Sequence, residues 1–160
     1  MASNYFRTWP NRLPCWLLKL LFNLYLPYFG TGIWLKTLAP DFRFAQVIMK
    51  MHWYNKNLVG THFGGSMFAM VDPFPMLLLM KNLGSDYLVW DKAASIDFKK
   101  PGIGTLTSTC SYSPEEIAAI RQKADTESKT IFDHTMDILN ADGVVVATVV
   151  KTLYVSKRNR

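Results

Sequence analysis

The pattern of hydrophobic and polar positions begins with a long apolar run, Leu13–Leu26. It predicts a helix of about 13 residues, which at about 20 Å is too short for the ~30 Å hydrocarbon core of a membrane. Lys19 and Asn23 are four residues apart and share one face, which leaves the other faces apolar. The pattern favours a helix packed against the body or a partner subunit. The alternative is peripheral membrane contact through residues 13–26.

A second apolar run, Ser66–Met80, is too long for a strand and predicts a buried helix that is apolar on nearly all sides. Pro73 and Pro75 lie inside this run. Because proline has no N–H group, each of them frees the carbonyl four residues earlier. We therefore expect the helix to kink or restart at this point.

Five segments alternate with a period of two and predict strands. They are Phe42–Trp53 (expected to be covered on both faces), Ala93–Lys99, Thr105–Tyr112, Lys129–Leu139 and Val144–Val155. A capping box at Ser113 starts a short amphipathic helix that runs to about Ala124. Asp142-Gly143 predicts a hairpin between the last two strands. One apolar helix with about five antiparallel strands implies an α+β fold in which the sheet wraps around the helix.

Length and composition indicate one globular domain over residues 1–160, with an N-terminal helical extension (1–40) and a core (41–156). Cys15 and Cys110 lie far apart, so neither a metal site nor a disulfide is predicted. We expect a cytoplasmic protein, because Lys19 interrupts the first apolar run and no cleavage site of small residues follows it.

The formal net charge of +6 is concentrated at the two ends of the chain. The first 40 residues contain four basic residues and no acidic one, and three of the last four residues are basic. Such a charge suits an anionic partner, either a phospholipid surface or a phosphate-bearing group. We do not expect nucleic acid as the partner, because no helix carries a basic stripe and no binding motif is present.

The candidate chemistry lies where a glycine-containing loop enters the predicted central helix. Gly64 and Gly65 open the helix and leave unshielded N–H groups at its positive end, which can polarise a carbonyl oxygen. Asp72 lies within apolar sequence and is a candidate buried carboxylate. In the alternative interpretation, the glycines only allow close packing and Asp72 only caps the helix restart at Pro73.

The separation of Gly65 and Asp72 has a geometric consequence. Seven residues of one helix cover about 10 Å, whereas a single substrate carbonyl needs both groups within about 3 Å. If both groups act, Asp72 of one subunit must meet the Gly65 amide of another. The chemistry would therefore require a dimer.

Asn57-x-x-Gly-x-x-x-Gly-Gly followed by Asp72 resembles the hotdog-fold thioesterases of the phenylacetate pathway, the PaaI-like type. The strings starting at Gly60 (GTHFGG), Met70 (MVDPF) and Val89 (VWDKA) resemble more closely a poorly characterised bacterial hotdog subfamily. This similarity runs from about residue 20 to residue 155. It implies a hotdog fold, homodimers or dimers of dimers, and acyl-CoA sites at subunit interfaces.

By this resemblance, Asp72 is the catalytic carboxylate, acting as general base or nucleophile. Gly65 supplies the amide that binds the thioester oxygen, and Asn57 orients the attacking water or the carboxylate. The chain departs from the family at Phe63, where those thioesterases have histidine. His62 lies one position earlier, and in an extended segment its side chain would point the other way.

Further candidate substrate-binding residues surround these motifs: His62, Phe63, Gly64, Ser66, Asp91, Lys99 and Lys100. Lys99 and Lys100, with Lys92, either meet CoA phosphates or form a solvated strand end. Asp91 is either a second polar group of the site or a residue that starts a strand, and Ser66 either donates to substrate or caps the helix. His134 alternates with apolar residues, which favours a satisfied inward histidine over a catalytic one.

These observations favour an acyl-CoA thioesterase-like hydrolase acting on acyl-CoA or an acyl-carrier thioester. We expect no cofactor beyond the coenzyme A of the substrate. Two alternatives remain: an acyl-binding protein without catalysis, and a hotdog hydratase or dehydratase. The hydratase reaction needs an imidazole facing the substrate, and the offset of His62 argues against it.

Overall fold

The computed structural model describes residues 13–158, and the basic residues Arg7, Arg12 and Arg160 lie outside them. The elements in chain order are α1 Cys15–Leu24, α2 Leu26–Phe29, β1 Ile33–Leu38, β2 Phe44–Met49, α3 Gly64–Val71, α4 Phe74–Leu83, β3 Tyr87–Phe98, β4 Leu106–Ser111, α5 Pro114–Thr126, β5 Lys129–Leu139 and β6 Val145–Lys157. The strands form one antiparallel sheet in the order β1-β2-β4-β5-β6-β3. Helices α3 and α4 pack against its inner face, which confirms the predicted α+β arrangement.

The central apolar run forms two helices in the structure. Helix α3 ends at Val71 and α4 begins at Phe74, with Pro73 between them, so the predicted break is confirmed. The buried residues of both helices form the core with the inner face of the sheet. The predicted capping box at Ser113 and the hairpin that joins β5 to β6 are also present.

The sheet has six strands in place of the predicted five or so. The additional strand is β1, which lies within the segment predicted as a helical extension. Ile33 and Leu35 of β1 are buried while Trp34 and Lys36 are exposed, which is the alternation of a strand with one face on the core. Strand β2 was expected to be covered on both faces, but one face is buried and the other is only half-buried.

Strand β3 contains a β-bulge that changes which of its side chains point inward. Asp91 pairs with Leu153 and Ala93 with Thr152, so Lys92 is the inserted residue. Inward positions are therefore odd-numbered before the bulge and even-numbered after it. This allows both Asp91 and Phe98 to face the central helices, which a regular strand could not do.

The two edges of the sheet differ. Helix α1 lies along β1, where the Asn23 side chain accepts from the Leu35 N–H at 2.7 Å and donates to the Leu35 carbonyl at 3.3 Å. Asn23 is thus buried, contrary to the polar face it was expected to form with Lys19. At the other edge, β3 pairs with β6 alone among residues 13–158. One edge is covered and the other is open, which leaves β3 available for pairing.

The outward face of α1 is apolar. Trp16, Leu20 and Leu24 form an exposed stripe at intervals of four residues, and Leu26 and Phe29 of α2 are also exposed. Among the described residues no helix has the length and apolar character needed to cross a membrane. Contact of this stripe with a membrane surface stays a prediction.

Candidate active site

Helix α3 begins with two glycines whose N–H groups have no hydrogen-bond partner among residues 13–158. The extended N-cap residue, Phe63, accepts from the Ser66 and Met67 N–H groups at 3.0 and 3.2 Å. The N–H groups of Gly64 and Gly65 precede these bonds, at the positive end of the helix dipole. They are free to donate to an anion or to a polarised carbonyl oxygen.

Two aromatic rings lie against these glycines. A Cβ atom on Gly64 would lie 2.8 Å from the Phe98 ring, and one on Gly65 would lie 2.5 Å from the Phe63 ring. The glycines therefore do allow close packing, as the alternative interpretation has it, but this packing does not occupy their N–H groups. Phe63 and Phe98 are 59% and 52% exposed, so they present apolar surface beside the helix end.

His62 is buried and joins two loops. Its Nε2 lies 2.7 Å from the Gly104 carbonyl, and its backbone N–H donates to the Gly102 carbonyl at 2.9 Å. Burial lowers the pKa of His62, which favours a neutral ring that donates from Nε2, while Nδ1 is buried with no partner in the part of the chain that the structure describes. The imidazole thus holds the loop before β4 and has no surface from which to reach a substrate.

Asn57 shapes the turn that precedes the helix. Its Oδ1 accepts from the N–H groups of Val59 and Thr61 at 3.1 and 3.0 Å, and its Nδ2 donates to Thr61 Oγ1 at 2.8 Å. Gly60 completes the turn with a φ of +82°, a conformation that favours glycine. In the single chain the Asn57 side chain is engaged within its own loop, so its role in orienting water stays a prediction.

Asp72 lies directly after α3 and is bound to a lysine from the last strand. Its Oδ1 accepts from Lys151 Nζ at 2.6 Å. Within residues 13–158 it accepts no capping hydrogen bond from α4, so the interpretation of Asp72 as only a helix cap is wrong. The Asp72 side chain is 44% exposed, whereas that of Lys151 is 2% exposed. The predicted buried carboxylate is thus half-exposed, and its basic partner is the buried group.

Asp91 joins the same cluster from β3. Its Oδ2 lies 3.1 Å from Lys151 Nζ, and its Oδ1 is buried without a hydrogen-bond partner in the described part of the chain. Burial raises the pKa of Asp91, and the neighbouring Lys151 opposes this shift. Asp91 is therefore a second polar group beside Asp72, which was one of its two predicted roles.

The sequence interpretation missed Lys151, although its position carries a signal. Val149, Lys151 and Leu153 alternate in the inward phase of β6, and all three are buried. A lysine in the apolar phase of a strand is rare unless a partner compensates its charge. That exception to the pattern marks the site from the sequence alone.

The structure also places the other residues that the sequence analysis considered. Ser66 is buried in the first turn of α3. Lys99 and Lys100 are exposed just after β3, and Lys99 pairs with Asp97. His134 points inward and its ring lies against the buried Tyr112, directly after β4, as expected for a structural histidine. Burial lowers its pKa.

One chain does not bring the free N–H groups and the carboxylate together. Gly65 and Asp72 lie at opposite ends of one helical segment, about 10 Å apart along its axis. A ligand bound at Gly65 would not reach Asp72 of the same chain. If both groups act on one carbonyl, Asp72 must therefore come from a second copy.

Comparisons with known proteins agree on the fold. PA5026 from Pseudomonas aeruginosa, a protein of unknown function and probable thioesterase, is similar with a TM-score of 0.81 and 18% identity, over 91% of this chain and 97% of that one. The thioesterase HI1161 from Haemophilus influenzae has a TM-score of 0.65 and 14% identity, over 91% and 92% of the two chains. The PaaI protein of the Escherichia coli phenylacetic acid degradation operon has a TM-score of 0.59 and 18% identity, over 98% and 97%.

These likenesses show that the sheet around α3 and α4 is a hotdog fold. No curated protein matches the sequence. Residues 15–155 match the model of a family described as a domain of unknown function, DUF4442. Since that match extends from α1 to β6, the chain belongs to the DUF4442 family of hotdog-fold proteins.

Proposed function

We propose that this protein hydrolyses acyl-CoA or acyl-carrier thioesters. The observation that carries the proposal is the combination of free N–H groups at Gly64 and Gly65 with an accessible carboxylate at Asp72. Proteins with the same fold include described thioesterases. The N–H groups can bind the oxyanion and the carboxylate can act as a base, and thioester hydrolysis requires both.

In the proposed reaction, the Asp72 carboxylate takes a proton from water as the oxygen attacks the thioester carbonyl carbon. The negative charge that develops on the carbonyl oxygen is stabilised by the N–H groups of Gly64 and Gly65. Collapse of the intermediate breaks the carbon–sulfur bond. The proton held by Asp72 passes to the departing thiolate, so the products are a carboxylic acid and a free thiol. Direct attack by Asp72 on the carbonyl is the alternative course.

The complete site would form between two copies that pair through β3. This strand is twelve residues long and lies at the open edge of the sheet, whereas Asn23 covers the β1 edge. Pairing of two β3 edges would extend the sheet across a homodimer, and two such dimers would form a dimer of dimers. Asp72 of one copy would then complete the site at Gly65 of its partner.

The surroundings of the site suit an apolar acyl group. The exposed rings of Phe63 and Phe98 flank the free N–H groups, and the buried Met67 and Met70 lie in the adjoining helix. Methionine adapts to irregular apolar ligands, so a fatty or aryl acyl group fits better than a small polar one. Lys99 and Lys100 would meet the phosphates of CoA at the end of β3.

The test is thiol release from short, long and aryl acyl-CoAs by the wild type, Asp72→Asn and a control, Asp142→Asn. Asp142 lies exposed in the β5–β6 turn, so its variant should match the wild type. We expect hydrolysis of at least one substrate and a loss of at least about a hundredfold in Asp72→Asn, the scale of a lost general base. Full activity in Asp72→Asn would contradict the assignment.

Subunit complementation tests the shared site. Gly65→Pro lacks the backbone N–H and should be inactive alone, as should Asp72→Asn. A mixture refolded together should regain up to about a quarter of wild-type activity, because half of the dimers are mixed and each has one intact site. A mixture that stays inactive while mixed dimers form would show that the two residues do not cooperate across subunits.

A second candidate, an acyl-binding protein without turnover, is favoured by Phe63. Its ring lies over Gly65 where the resemblance leads us to expect an imidazole. Saturable binding of acyl-CoA without thiol release from any substrate would support this function. The hydratase or dehydratase alternative has less support, because the His62 ring is buried and bound to Gly104.

A further inference from the structure

Lys151 is a charged residue in the apolar inner row of the last strand. It lies between Val149 and Leu153 on the inward face of β6, and all three side chains are buried. Removing an ammonium group from water costs several kcal/mol unless carboxylates and hydrogen bonds compensate it. The Lys151 ammonium group therefore requires acidic partners, and these must come from other elements that pack against β6.

Two carboxylates from different elements meet at Lys151 Nζ. Asp72 Oδ1 lies 2.6 Å away at the junction of α3 and α4, and Asp91 Oδ2 lies 3.1 Å away on β3. The Phe68 ring of α3 covers the ammonium group, with its centroid 5.5 Å from Nζ. The β-bulge at Lys92 allows Asp91 to face this point. The cluster thus fixes Asp72 relative to both the sheet and the helix.

The cluster carries a net negative formal charge. One cation and two carboxylates leave a formal charge of −1, with Asp72 as the more exposed of the two acids. Lys151 binds Oδ1 of Asp72, and no hydrogen bond to Oδ2 of Asp72 occurs within residues 13–158. That oxygen is therefore available to accept a proton from water.

We propose that Lys151 is the positioning residue of the Asp72 carboxylate, and that Asp91 is the second carboxylate that holds the Lys151 ammonium group in place. This inference rests on the proposed hydrolase function. Lys151 touches no reacting atom in it: the ammonium group holds one carboxylate oxygen so that the other faces the water. Asp91 contacts the same ammonium group from β3 and fixes its position relative to the sheet.

Other titratable groups face the cluster from the surrounding elements. Burial, followed by the nearby Asp72 carboxylate, raises the pKa of the Tyr28 phenol of α2. His134 of β5 is the cross-strand neighbour of Lys151, and burial lowers its pKa. Asp91 is the acid that faces Lys151 from β3. Neutral Tyr28 and His134 leave the charge of the cluster to Lys151 and the two acids.

The experiment compares Lys151→Met, Asp91→Asn and the double variant with the wild type. The first measurement is unfolding by urea as a function of pH, which needs no activity. Lys151→Met leaves two facing carboxylates, so its stability should fall as pH rises from about 4.5 to about 8, when both acids ionise. Adding Asp91→Asn should remove most of this fall.

The second measurement is the pH profile of kcat and KM. In Lys151→Met, we expect kcat to drop at least about tenfold with KM changed less than about twofold, and the acidic limb to move to higher pH. In the double variant the acidic limb should return toward its wild-type pH. In Asp91→Asn, which keeps the ion pair and should fold, the limb should move to lower pH.

If Lys151 were merely structural, Lys151→Met would lower the stability equally at all pH values and would leave the acidic limb of the kcat profile unmoved. Either result would overturn the proposal. If Lys151→Met does not fold, an unmoved limb in Asp91→Asn overturns it. If the wild type hydrolyses no thioester, the proposed function fails and the positioning role fails with it. The urea measurement would still show whether the charge cluster exists.

Discussion

The Tyr28 hydroxyl donates to the carbonyl of Ala69 at 3.2 Å, and this is the carbonyl that Pro73 leaves without a helical partner. Proline at position 73 cannot donate the N–H that would bind the carbonyl four residues earlier. The same hydroxyl lies 3.4 Å from the Met70 carbonyl. Helix α2 thus supplies from outside the hydrogen bond that the break between α3 and α4 removes, directly beside Asp72.

This relationship predicts that Tyr28→Phe destabilises the protein. The ring would still pack in the core, but a buried carbonyl would lose its donor, at a cost of about 1–3 kcal/mol. Burial raises the pKa of Tyr28, so the phenol remains a donor at neutral pH. Urea denaturation measures the loss, and Tyr25→Phe, at an exposed position one turn earlier, is the control. Equal stability of the two variants would contradict the prediction.

The break at Pro73 also shows how far the sequence predicts this structure. The apolar run, its prolines, the capping box and the Asp-Gly turn are local features, and each one determined an element that the structure contains. The pattern also implied a sheet wrapped around the helix, and the resemblance named that arrangement as a hotdog fold, but neither gave the order of the strands. The free N–H groups at Gly64 and Gly65 followed from their position at a helix start.

The polar residues whose burial the sequence analysis did not predict share a physical cause. Asn23 was expected on a polar helix face and Lys151 was overlooked in the apolar phase of its strand, yet both are buried in the structure. Asn23 is stabilised by the backbone of Leu35, and Lys151 by two carboxylates that lie far away in sequence. Burial of a polar group depends on partners that only the folded chain brings near. Strand β1 was missed although its alternation was visible.

We propose that the exposed stripe of Trp16, Leu20 and Leu24 contacts an anionic phospholipid surface. The stripe lies on the same helix as the basic residue Lys19, within the first 40 residues, which contain no acid. Amphipathic helices with aromatic and basic residues bind such surfaces through buried apolar area and charge attraction. Helix α1 borders the β1 edge, so pairing through β3 would leave the stripe exposed.

Co-sedimentation with phosphatidylglycerol vesicles tests this contact. We expect the double variant Leu20→Ser/Leu24→Ser to bind at least about tenfold more weakly, since each leucine contributes on the order of 1.5–3 kcal/mol when buried. Ile131→Ser, at an exposed position on β5, is the control and should bind like the wild type. Unchanged binding of the double variant would contradict the proposal. The proposal would also be contradicted if the wild type binds no vesicles and the double variant self-associates less than the wild type, because a second copy would then cover the stripe.

Stability should depend on pH through His62. Burial lowers its pKa in the folded protein, while in the unfolded chain the pKa is about 6.5, the ordinary value for histidine. The unfolded chain therefore takes up a proton first as pH falls. The contribution of neutral His62 to stability is complete above about pH 6.5 and is lost progressively as pH falls through the lower, folded-state pKa.

The variant His62→Gln isolates this effect. Glutamine can still donate to the Gly104 carbonyl but does not titrate, so the decrease in the free energy of unfolding between about pH 7 and about pH 5 should be smaller than in the wild type. His134→Gln should reduce the remaining decrease, because burial lowers the pKa of His134 in the same direction. Urea denaturation at several pH values measures both slopes. A His62→Gln variant with the full wild-type slope would show that protonation of His62 does not oppose folding, and that the bond to Gly104 tolerates a charged ring.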